Sequence, residues 1–344
     1  MDRIRVLITT PLDPAHVEAI AGVDPRLDVV YEDALIARPG FPSAHPLPDA
    51  DDPAARAGWE ELLAGAEVML DVGPLVLADR LTALPRLRWI QATSAGVGEL
   101  VRRLGIPARR DLVVTTASGV HARPLAEFVL LAVLMFTKDV WRLQDDQREH
   151  RWRRHASDEV RAKVVGIVGA GRIGREAARL LRQLDAHVIA VVRSPGGRTA
   201  ADISADELLG IADLDGMLPR LDALVIVTPL TAETHRLIDA RRIGLLPRRA
   251  IVVNIGRGDV VDEPALIEAL AGGRLRGAAL DVFQTEPLPP ESPLWDMPNV
   301  LVCPHSAATV AAENDRIVEL FCDNLGRYLS GRALRNVLDP DLLY

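Results

Sequence analysis

The sequence has very few cysteines and lysines. Cys303 and Cys322 are the only cysteines among 344 residues. Two cysteines in a chain of this size support neither a disulfide framework nor a cysteine-based metal cluster, so we expect no metal site and a reducing, cytoplasmic environment. All but Lys138 and Lys163 of the 40 basic residues are arginine. Because arginine is so frequent, a single arginine is weak grounds for assigning a function.

Long apolar runs and a positive net charge are also missing. The longest apolar run, Phe128–Phe136, is too short for a membrane-spanning helix, and the chain begins with the charged segment Asp2–Thr10 rather than an apolar leader. The net charge of −8 argues against a nucleic-acid partner, which needs a basic face. We therefore expect a folded protein whose partner is a small molecule, with neither membrane nor nucleic acid involved.

What is present is a repeated alternation of short apolar strands and helical patterns. A chain of this length exceeds what one hydrophobic core usually serves, so two domains are expected. The first series of predicted strands is Ile4–Thr10, Val29–Tyr31, Val68–Val72, Leu87–Ala92 and Leu112–Thr116, with helices at Pro14–Ala21 and Ala78–Leu84. Such alternation indicates a mostly parallel sheet covered on both faces, an α/β fold.

One segment, Ile36–Gly58, interrupts this alternation. It holds five prolines and three aspartates within a short stretch and is predicted to be a surface loop. Two readings stay open for it: a tolerated insertion, or a flap near the substrate.

A second alternating series follows two helical stretches, from His121 to about Lys138 and on to about Arg154. Its predicted strands are Val164–Val168, Val188–Val192, Ala223–Val227, Ala250–Ile255, Ala278–Val282 and Val300–Cys303. The amphipathic helix Val310–Leu329 and a short tail end the chain, and we expect the tail to pack back onto the N-terminal half. Trp152 and Trp295 are expected to be packing residues.

A glycine turn, Gly169-Ala170-Gly171-Arg172-Ile173-Gly174, follows the predicted strand Val164–Val168. Gly169 allows the tight turn, Gly171 lets a pyrophosphate approach the backbone, and Gly174 lets the next helix pack closely. That helix is predicted from Arg175 to Leu184, and the N–H groups at its start would hold the phosphates. The turn, including Arg172 and Ile173, therefore predicts a dinucleotide site.

The end of the next strand bears on the choice of dinucleotide. In NAD sites an acidic residue about 20 residues after the turn binds the ribose hydroxyls. Here Arg193 and Ser194 occupy that place, and Arg198 lies close by. An acid would repel the 2′-phosphate of NADP, whereas arginine pairs with it. We predict NADP(H), with NAD as the open alternative.

Three polar residue types at strand ends suit the reduction of a 2-keto acid. A guanidinium such as that of Arg257 clamps a carboxylate and polarises the neighbouring carbonyl. A histidine such as His305 delivers a proton near neutral pH. A carboxylate such as that of Glu286 orients the histidine and favours its protonated form.

With these residues the chain resembles the D-isomer-specific 2-hydroxyacid dehydrogenases, in the branch of the glyoxylate/hydroxypyruvate reductases, over nearly its whole length. The matching stretches are Gly166–Gly174, Val227–Thr231, Asn254–Gly258, Ala279–Pro287, Leu294–Asn299 and Pro304-His305. The resemblance implies that Arg257 binds the substrate carboxylate, that His305 is the acid/base, and that Glu286 is its partner. It places Asp281 near the nicotinamide and Thr228 with Pro229 at the cofactor.

The resemblance also implies an architecture of two doubly wound parallel-sheet domains. Residues 1–118 with 309–344 would form a flavodoxin-like substrate domain, and residues 119–308 a Rossmann-type nucleotide domain, with the site in the cleft between them. The backbone of a substrate loop would hold the carboxylate through Ala95, Gly96 and Val97. The long helical region Phe128–Trp152 would join two copies into a homodimer.

Other functions remain as alternatives. One is an NAD-dependent dehydrogenase of another 2-hydroxy acid, and another is a dinucleotide-sensing binding protein of the co-repressor type, which need not keep Arg257, Glu286 and His305. A formate or phosphonate oxidation is disfavoured, because formate dehydrogenases of this fold carry an amide where Glu286 stands.

Overall fold

The computed structural model describes residues 3–41, 43–46, 52–76 and 84–341. Within them the chain forms two compact units, residues 1–121 with 309–344 (unit 1) and residues 122–308 (unit 2). Among the described helices, none combines the length and the apolar character needed to cross a bilayer.

Unit 1 is built on a five-stranded parallel sheet. Its strands are β1 (Ile4–Ile8), β2 (Leu27–Tyr31), β3 (Val68–Leu70), β4 (Trp89–Gln91) and β5 (Val113–Thr115). The order β2-β1-β3-β4-β5 is the flavodoxin-like one, so the chain reverses direction across the sheet between β1 and β3. Its helices are α1 (Pro14–Ala21), α2 (Pro53–Gly65), α3 (Gly98–Arg103) and α10 (Glu313–Leu329).

The central strands β3 and β4 of unit 1 are fully buried, and apolar residues pack on both faces of its sheet. Leu7, Met69 and Ile90 pack on the face that α2 covers. Ile8 and Trp89 belong to the opposite core, together with residues of α1 and α10. The C-terminal segment also joins the sheet directly, since Thr115 pairs with Val337 in an antiparallel bridge.

Unit 2 is built on a seven-stranded parallel sheet in the order β12-β11-β10-β9-β6-β7-β8. Its strands are β6 (Val164–Val168), β7 (His187–Val192), β8 (Glu207–Gly210), β9 (Ala223–Ile226), β10 (Ile251–Asn254), β11 (Gly277–Leu280) and β12 (Val300–Val302). Its helices are α4 (Ala122–Thr137), α5 (Val140–Arg148), α6 (Arg172–Arg182), α7 (Leu214–Met217), α8 (Ala240–Leu245) and α9 (Glu263–Ala271). The central order is that of a Rossmann fold, with β12 added at one edge.

Three sequence-based predictions need correction, and one strand was not predicted. The segment 36–58 is not all loop, because α2 begins at Pro53, where the Asp52 side chain accepts hydrogen bonds from Ala54 N and Ala55 N. Proline suits the first helical position, where its missing N–H is not needed, so the proline and the aspartate that suggested a loop start a helix. Residues 47–51 of this segment, and 78–83 of the helix predicted at Ala78–Leu84, lie outside the described residues.

The other corrections concern unit 2. The second long helix ends at Arg148 rather than near Arg154. The helix after the glycine turn begins at Arg172, not Arg175, so Gly174 lies in its first turn. Strand β8 was not predicted at all, because it is a four-residue edge strand of partly buried residues with no long apolar run.

Candidate active site

The glycine turn connects β6 to α6, and the structure accounts for two of its three glycines. Gly169 has a φ of +106°, a conformation that favours glycine. A Cβ on Gly174 would lie 2.1 Å from the carbonyl oxygen of Gly169, so only glycine fits there. A Cβ on Gly171 would meet nothing within 4 Å. The turn is therefore tightly packed at Gly169 and Gly174 and has open space beside Gly171.

Two further observations fit a dinucleotide at this turn. The first N–H groups of α6 have no partners within the helix and carry its positive dipole end, which suits a pyrophosphate. The hydroxyl of Thr228, which follows β9, is buried without a hydrogen-bond partner among the described residues. Thr228 Cγ2 would lie 3.1 Å from a Cβ on Gly169, so this hydroxyl belongs to the same site as the turn.

Arg193 and Ser194 follow β7 directly, and both are exposed. Arg198 is held on its own turn, where its guanidinium donates to the carbonyl oxygens of Ser194 and Pro195. Arg193 directly follows the last residue of β7, Val192. Nucleotide-binding folds recognise the ribose at this strand end.

Arg257 follows β10 in a turn that Asn254 braces. The Asn254 side chain accepts from Gly256 N at 3.1 Å and donates to Arg257 O at 3.1 Å, so both ends of its amide fix the turn. The guanidinium of Arg257 donates to Gly256 O at 2.7 Å. Burial lowers the pKa of Arg257, and the negative charge of Glu286 opposes that shift. The two charges therefore act on each other within one site.

Glycine at 258 brings the next segment close. A Cβ on Gly258 would lie 2.0 Å from the backbone of Phe283, so any larger residue would push the segment after β11 away from Arg257. That segment leads to Glu286, whose Oε1 accepts from Phe283 N at 2.9 Å. The Glu286-Pro287 peptide bond is cis.

His305 follows β12 and pairs with Glu286. Its Nδ1 lies 2.7 Å from Glu286 Oε2, while Oε1 of the same carboxylate is bound to the backbone. An ionised carboxylate only accepts hydrogen bonds, so Nδ1 carries the proton and Nε2 is left to face a reactant. The histidine ring remains half exposed, as such a role requires.

Asp281 lies beneath this pair and has a structural function of its own. Its Oδ1 accepts from both Ser306 N and Ala307 N at 2.9 Å, and its backbone carbonyl accepts from His305 N at 3.0 Å. Burial raises the pKa of this carboxyl. Asp281 thus fixes the loop that carries His305, a role that the sequence motif did not indicate.

A cavity of about 420 Å³ adjoins the His305–Glu286 pair. Its walls are mainly apolar, with Phe283, Leu288 and Trp295 among them. Trp295 was expected to pack in the interior, but it is half exposed and its indole donates to Pro289 O. Apolar walls beside the pair reduce the local dielectric constant and strengthen its electrostatic interactions.

In unit 1, the predicted substrate loop connects β4 to α3. Ser94 Oγ accepts from Gly96 N at 3.2 Å, and Ser94 O accepts from Ala117 N at 3.1 Å. Ala95 and Gly96 are exposed, whereas Val97 is buried and anchors the loop in the core. The loop is therefore anchored by Val97, while the backbone of Ala95 and Gly96 is exposed.

Comparison with known proteins points to one family. Residues 130–307 match the model of the D-isomer specific 2-hydroxyacid dehydrogenase, NAD binding domain. The glyoxylate/hydroxypyruvate reductase B of Pectobacterium carotovorum is 33% identical over 303 residues, which cover 86% of this chain and 90% of that protein.

Solved structures agree over the full length. An NADPH-dependent glyoxylate/hydroxypyruvate reductase from Sinorhizobium meliloti, in complex with NADP and sulfate, superposes with a TM-score of 0.78 at 29% identity, over 99% of this chain and 100% of that one. A D-isomer specific 2-hydroxyacid dehydrogenase from Xanthobacter autotrophicus, in complex with NADPH and MES, gives 0.76 at 30% identity with the same coverage. The chain therefore belongs to the D-isomer specific 2-hydroxyacid dehydrogenase family, and it is an oxidoreductase that works with a nicotinamide dinucleotide.

Proposed function

We propose that the protein reduces small 2-keto acids of the glyoxylate and hydroxypyruvate type with NADPH. The observation that carries this proposal is the distance of 2.7 Å between His305 Nδ1 and Glu286 Oε2. Arg257 follows β10, which is the neighbour of β11, the strand that leads to Glu286. The relatives named as glyoxylate/hydroxypyruvate reductases support the substrate class.

The three residues divide the work of the reaction. Arg257 holds the substrate carboxylate in two parallel hydrogen bonds and polarises the carbonyl. Bound NADPH supplies the hydride. His305, charged and oriented by Glu286, donates the proton on Nε2 to the carbonyl oxygen as that oxygen gains negative charge. Glu286 stabilises the imidazolium before the transfer and keeps Nδ1 protonated after it.

The substrate and cofactor domains are part of the same proposal. Unit 2 would bind NADPH through Gly169, Gly171 and the start of α6, with Thr228 and Pro229 beside it. Unit 1 would hold the substrate carboxylate through the backbone of Ala95, Gly96 and Val97. Asp281 would add an interaction with the nicotinamide only through atoms not engaged with the His305 loop.

A panel of 2-keto acids tests the activity. The purified protein is incubated with glyoxylate, hydroxypyruvate, pyruvate or 2-ketobutyrate and with NADPH or NADH, and the loss of absorbance at the reduced nicotinamide band is followed. We expect turnover with glyoxylate and with hydroxypyruvate. Tight NADPH binding without turnover of any substrate would contradict the proposal and favour the dinucleotide-sensing alternative.

Arg193 is expected to select NADPH over NADH. Arg193→Asp should raise the KM for NADPH about ten- to a hundredfold, because a charge-assisted pair contributes about 1.5–3 kcal/mol and the acid repels the 2′-phosphate. The KM for NADH should not rise, because that cofactor has no phosphate there. Arg198→Ala is the matched comparison, since Arg198 binds the carbonyl oxygens of its own turn. A wild-type enzyme that prefers NADH would contradict this assignment.

A homodimer through unit 2 belongs to the proposal as well. Of the nine large apolar side chains that are exposed in the described part of the chain, three lie between residues 128 and 152, namely Leu131, Leu143 and Trp152. Trp152, expected to pack internally, is 94% exposed. Large apolar residues exposed within one segment of the chain are consistent with a protein interface there.

The dimer can be tested by mass in solution. We expect light scattering after size exclusion to give twice the chain mass, and Leu131→Glu with Trp152→Glu to give monomers, because charges at an apolar interface lose their hydration. Leu184→Glu, a change at another exposed leucine of unit 2, should leave the mass unaltered. A monomeric wild-type protein would show that this surface has another role.

A further inference from the structure

A group of buried polar side chains lies at the carboxyl edge of the unit 1 sheet, outside the site described above. Thr10 follows β1, Asp71 follows β3 and Thr93 follows β4, and all three are buried. His45 and Glu313 complete the group from the segment 43–46 and from the first turn of α10. We call these five residues the switch-point cluster, because β1 and β3 are the strands between which the sheet order reverses. Open α/β sheets bind ligands at this position.

Hydrogen bonds connect the members of the switch-point cluster. Thr10 Oγ1 lies 2.5 Å from His45 Nδ1, and Thr93 Oγ1 donates to Asp71 Oδ1 at 3.2 Å. His45 Nε2 lies 4.0 Å from Glu313 Oε1, which is bound to His121 Nε2 at 2.9 Å. The side chains of His45 and Glu313 are largely enclosed, with 14% and 8% of their surface exposed. The cluster is therefore a set of enclosed polar side chains and not of surface charges.

Two polar atoms of this cluster are left without partners. His45 Nε2 and Glu313 Oε2 are buried and make no hydrogen bond among the described residues. Buried polar atoms are usually satisfied, so a pair of unsatisfied atoms on neighbouring side chains indicates a place where a ligand binds. Asp71 adds backbone strain to the same place, with a φ of +76°, and such strain concentrates at functional sites.

The chemistry of these atoms selects a hydroxyl group. A hydroxyl is both donor and acceptor, so it can bridge a histidine nitrogen and a carboxylate oxygen that lie too far apart to bond each other. Burial lowers the pKa of His45 and raises the pKa of Asp71. An apolar group would leave both atoms unsatisfied.

The cluster is also next to the substrate loop. Thr93, which binds Asp71, is followed directly by Ser94 and by the backbone of Ala95 and Gly96. A substrate whose carboxylate is held on that loop thus has its remaining carbon near the carboxyl edge of the same sheet. The segment that carries His45 is anchored there, since Ser43 Oγ donates to Val310 O at 3.0 Å.

We propose that His45, with Glu313, is a specificity-determining residue that binds the hydroxyl on the third carbon of the substrate, so that the enzyme prefers 3-hydroxy-2-keto acids to keto acids without that group. This inference rests on the proposed function, whose substrate class it narrows. The proposal gives a function to residues 43–46 of the segment 36–58, because they include His45, which would bind the substrate.

The test compares two substrates in matched variants. For wild type, His45→Leu and Glu313→Gln, kcat/KM is measured with hydroxypyruvate and with glyoxylate. We expect His45→Leu to lower the ratio of the two values about ten- to a hundredfold, the loss of one hydrogen bond within an enclosed site, mainly through KM. Glu313→Gln keeps the shape of the side chain and should lower the ratio less.

His16→Leu is the matched control, because His16 lies in the same unit, is similarly enclosed, and also contacts α10, through Asp315 at 2.8 Å. It should leave the ratio at the wild-type value. A wild-type enzyme without a preference for hydroxypyruvate, or variants of His45 and Glu313 that keep the wild-type ratio, would overturn the inference while leaving the proposed function intact. Absence of turnover with both substrates would instead refute the proposed function. Thermal unfolding of each variant verifies that it folds.

Discussion

Replacement of His305 by alanine is expected to lower kcat for glyoxylate about 10²- to 10⁴-fold, the usual contribution of a positioned general acid. Nε2 is the atom that would deliver the proton, because Nδ1 is engaged with Glu286 Oε2 at 2.7 Å. The affinity for NADPH should persist, since the glycine turn and α6 are separate from the loop after β12. Stopped-flow turnover and fluorescence titration with NADPH measure the two quantities.

The backbone at this position calls for a second variant. His305 has a φ of +50°, which alanine tolerates less well than asparagine. His305→Asn therefore separates the loss of the acid from any shift of the loop, and we expect it to be as slow as His305→Ala. His235→Ala, at an exposed histidine of the same unit, serves as the control. Turnover that stays near the wild-type value in both His305 variants would remove this residue from the mechanism.

Much of the fold follows from the sequence because most of its strands are short apolar runs with buried residues on both faces. Such runs stand out whatever surrounds them, and the glycine turn marks the first strand of the nucleotide-binding sheet. The strand β8 and the helix α2 were missed for the opposite reason. β8 is an edge strand with only partial burial, and α2 begins with an aspartate and a proline, which occur equally in loops.

The candidate site was predictable as a set of residue types but not as a geometry. Reaction chemistry asks for a cation, an acid/base and a carboxylate, and strand ends supply Arg257, His305 and Glu286. What sequence could not supply is how they are held. Asp281 fixes the loop of His305 through two backbone N–H groups, and Asn254 fixes the turn of Arg257. The bonds of Asn254 are local ones of the kind that asparagine often forms in turns, whereas Asp281 binds residues that are 25 and 26 positions away in the chain.

The switch-point cluster was beyond reach for a different reason. Its members come from five segments that are far apart in the chain and carry no shared motif. Only the parallel sheet, by placing the ends of β1, β3 and β4 at one edge, brings Thr10, Asp71 and Thr93 together. Polar residues gathered in this way have no sequence signal, whereas a glycine turn does.

Replacement of Arg257 by alanine is the second change with a large expected effect, a loss of about 10²- to 10³-fold in kcat/KM for a 2-keto acid. The guanidinium would bind the carboxylate and also stabilise charge on the carbonyl oxygen, so we expect KM to rise and kcat to fall. Arg257→Lys keeps the charge but not the planar pair of donors, and it should recover only part of the loss. Arg241→Ala, at an arginine of the same unit paired with Asp215, is the control.

The position of Arg257 sharpens this expectation. Burial opposes its charge, and the carboxylate of Glu286 restores part of that loss, so the guanidinium is charged in a site poor in water. A substrate carboxylate entering such a site meets a cation that is weakly hydrated and already oriented by Gly256 O, and each hydrogen bond gained there is stronger than on the surface. Substrates that keep the carbonyl but lack the carboxylate, such as glycolaldehyde, should therefore be poor for the wild type, and Arg257→Ala should lower their turnover by a smaller factor than that of a 2-keto acid, because only the interaction with the carbonyl oxygen is lost. If the variant lost activity toward both kinds of substrate by the same factor, Arg257 would act on the fold of the turn rather than on the carboxylate.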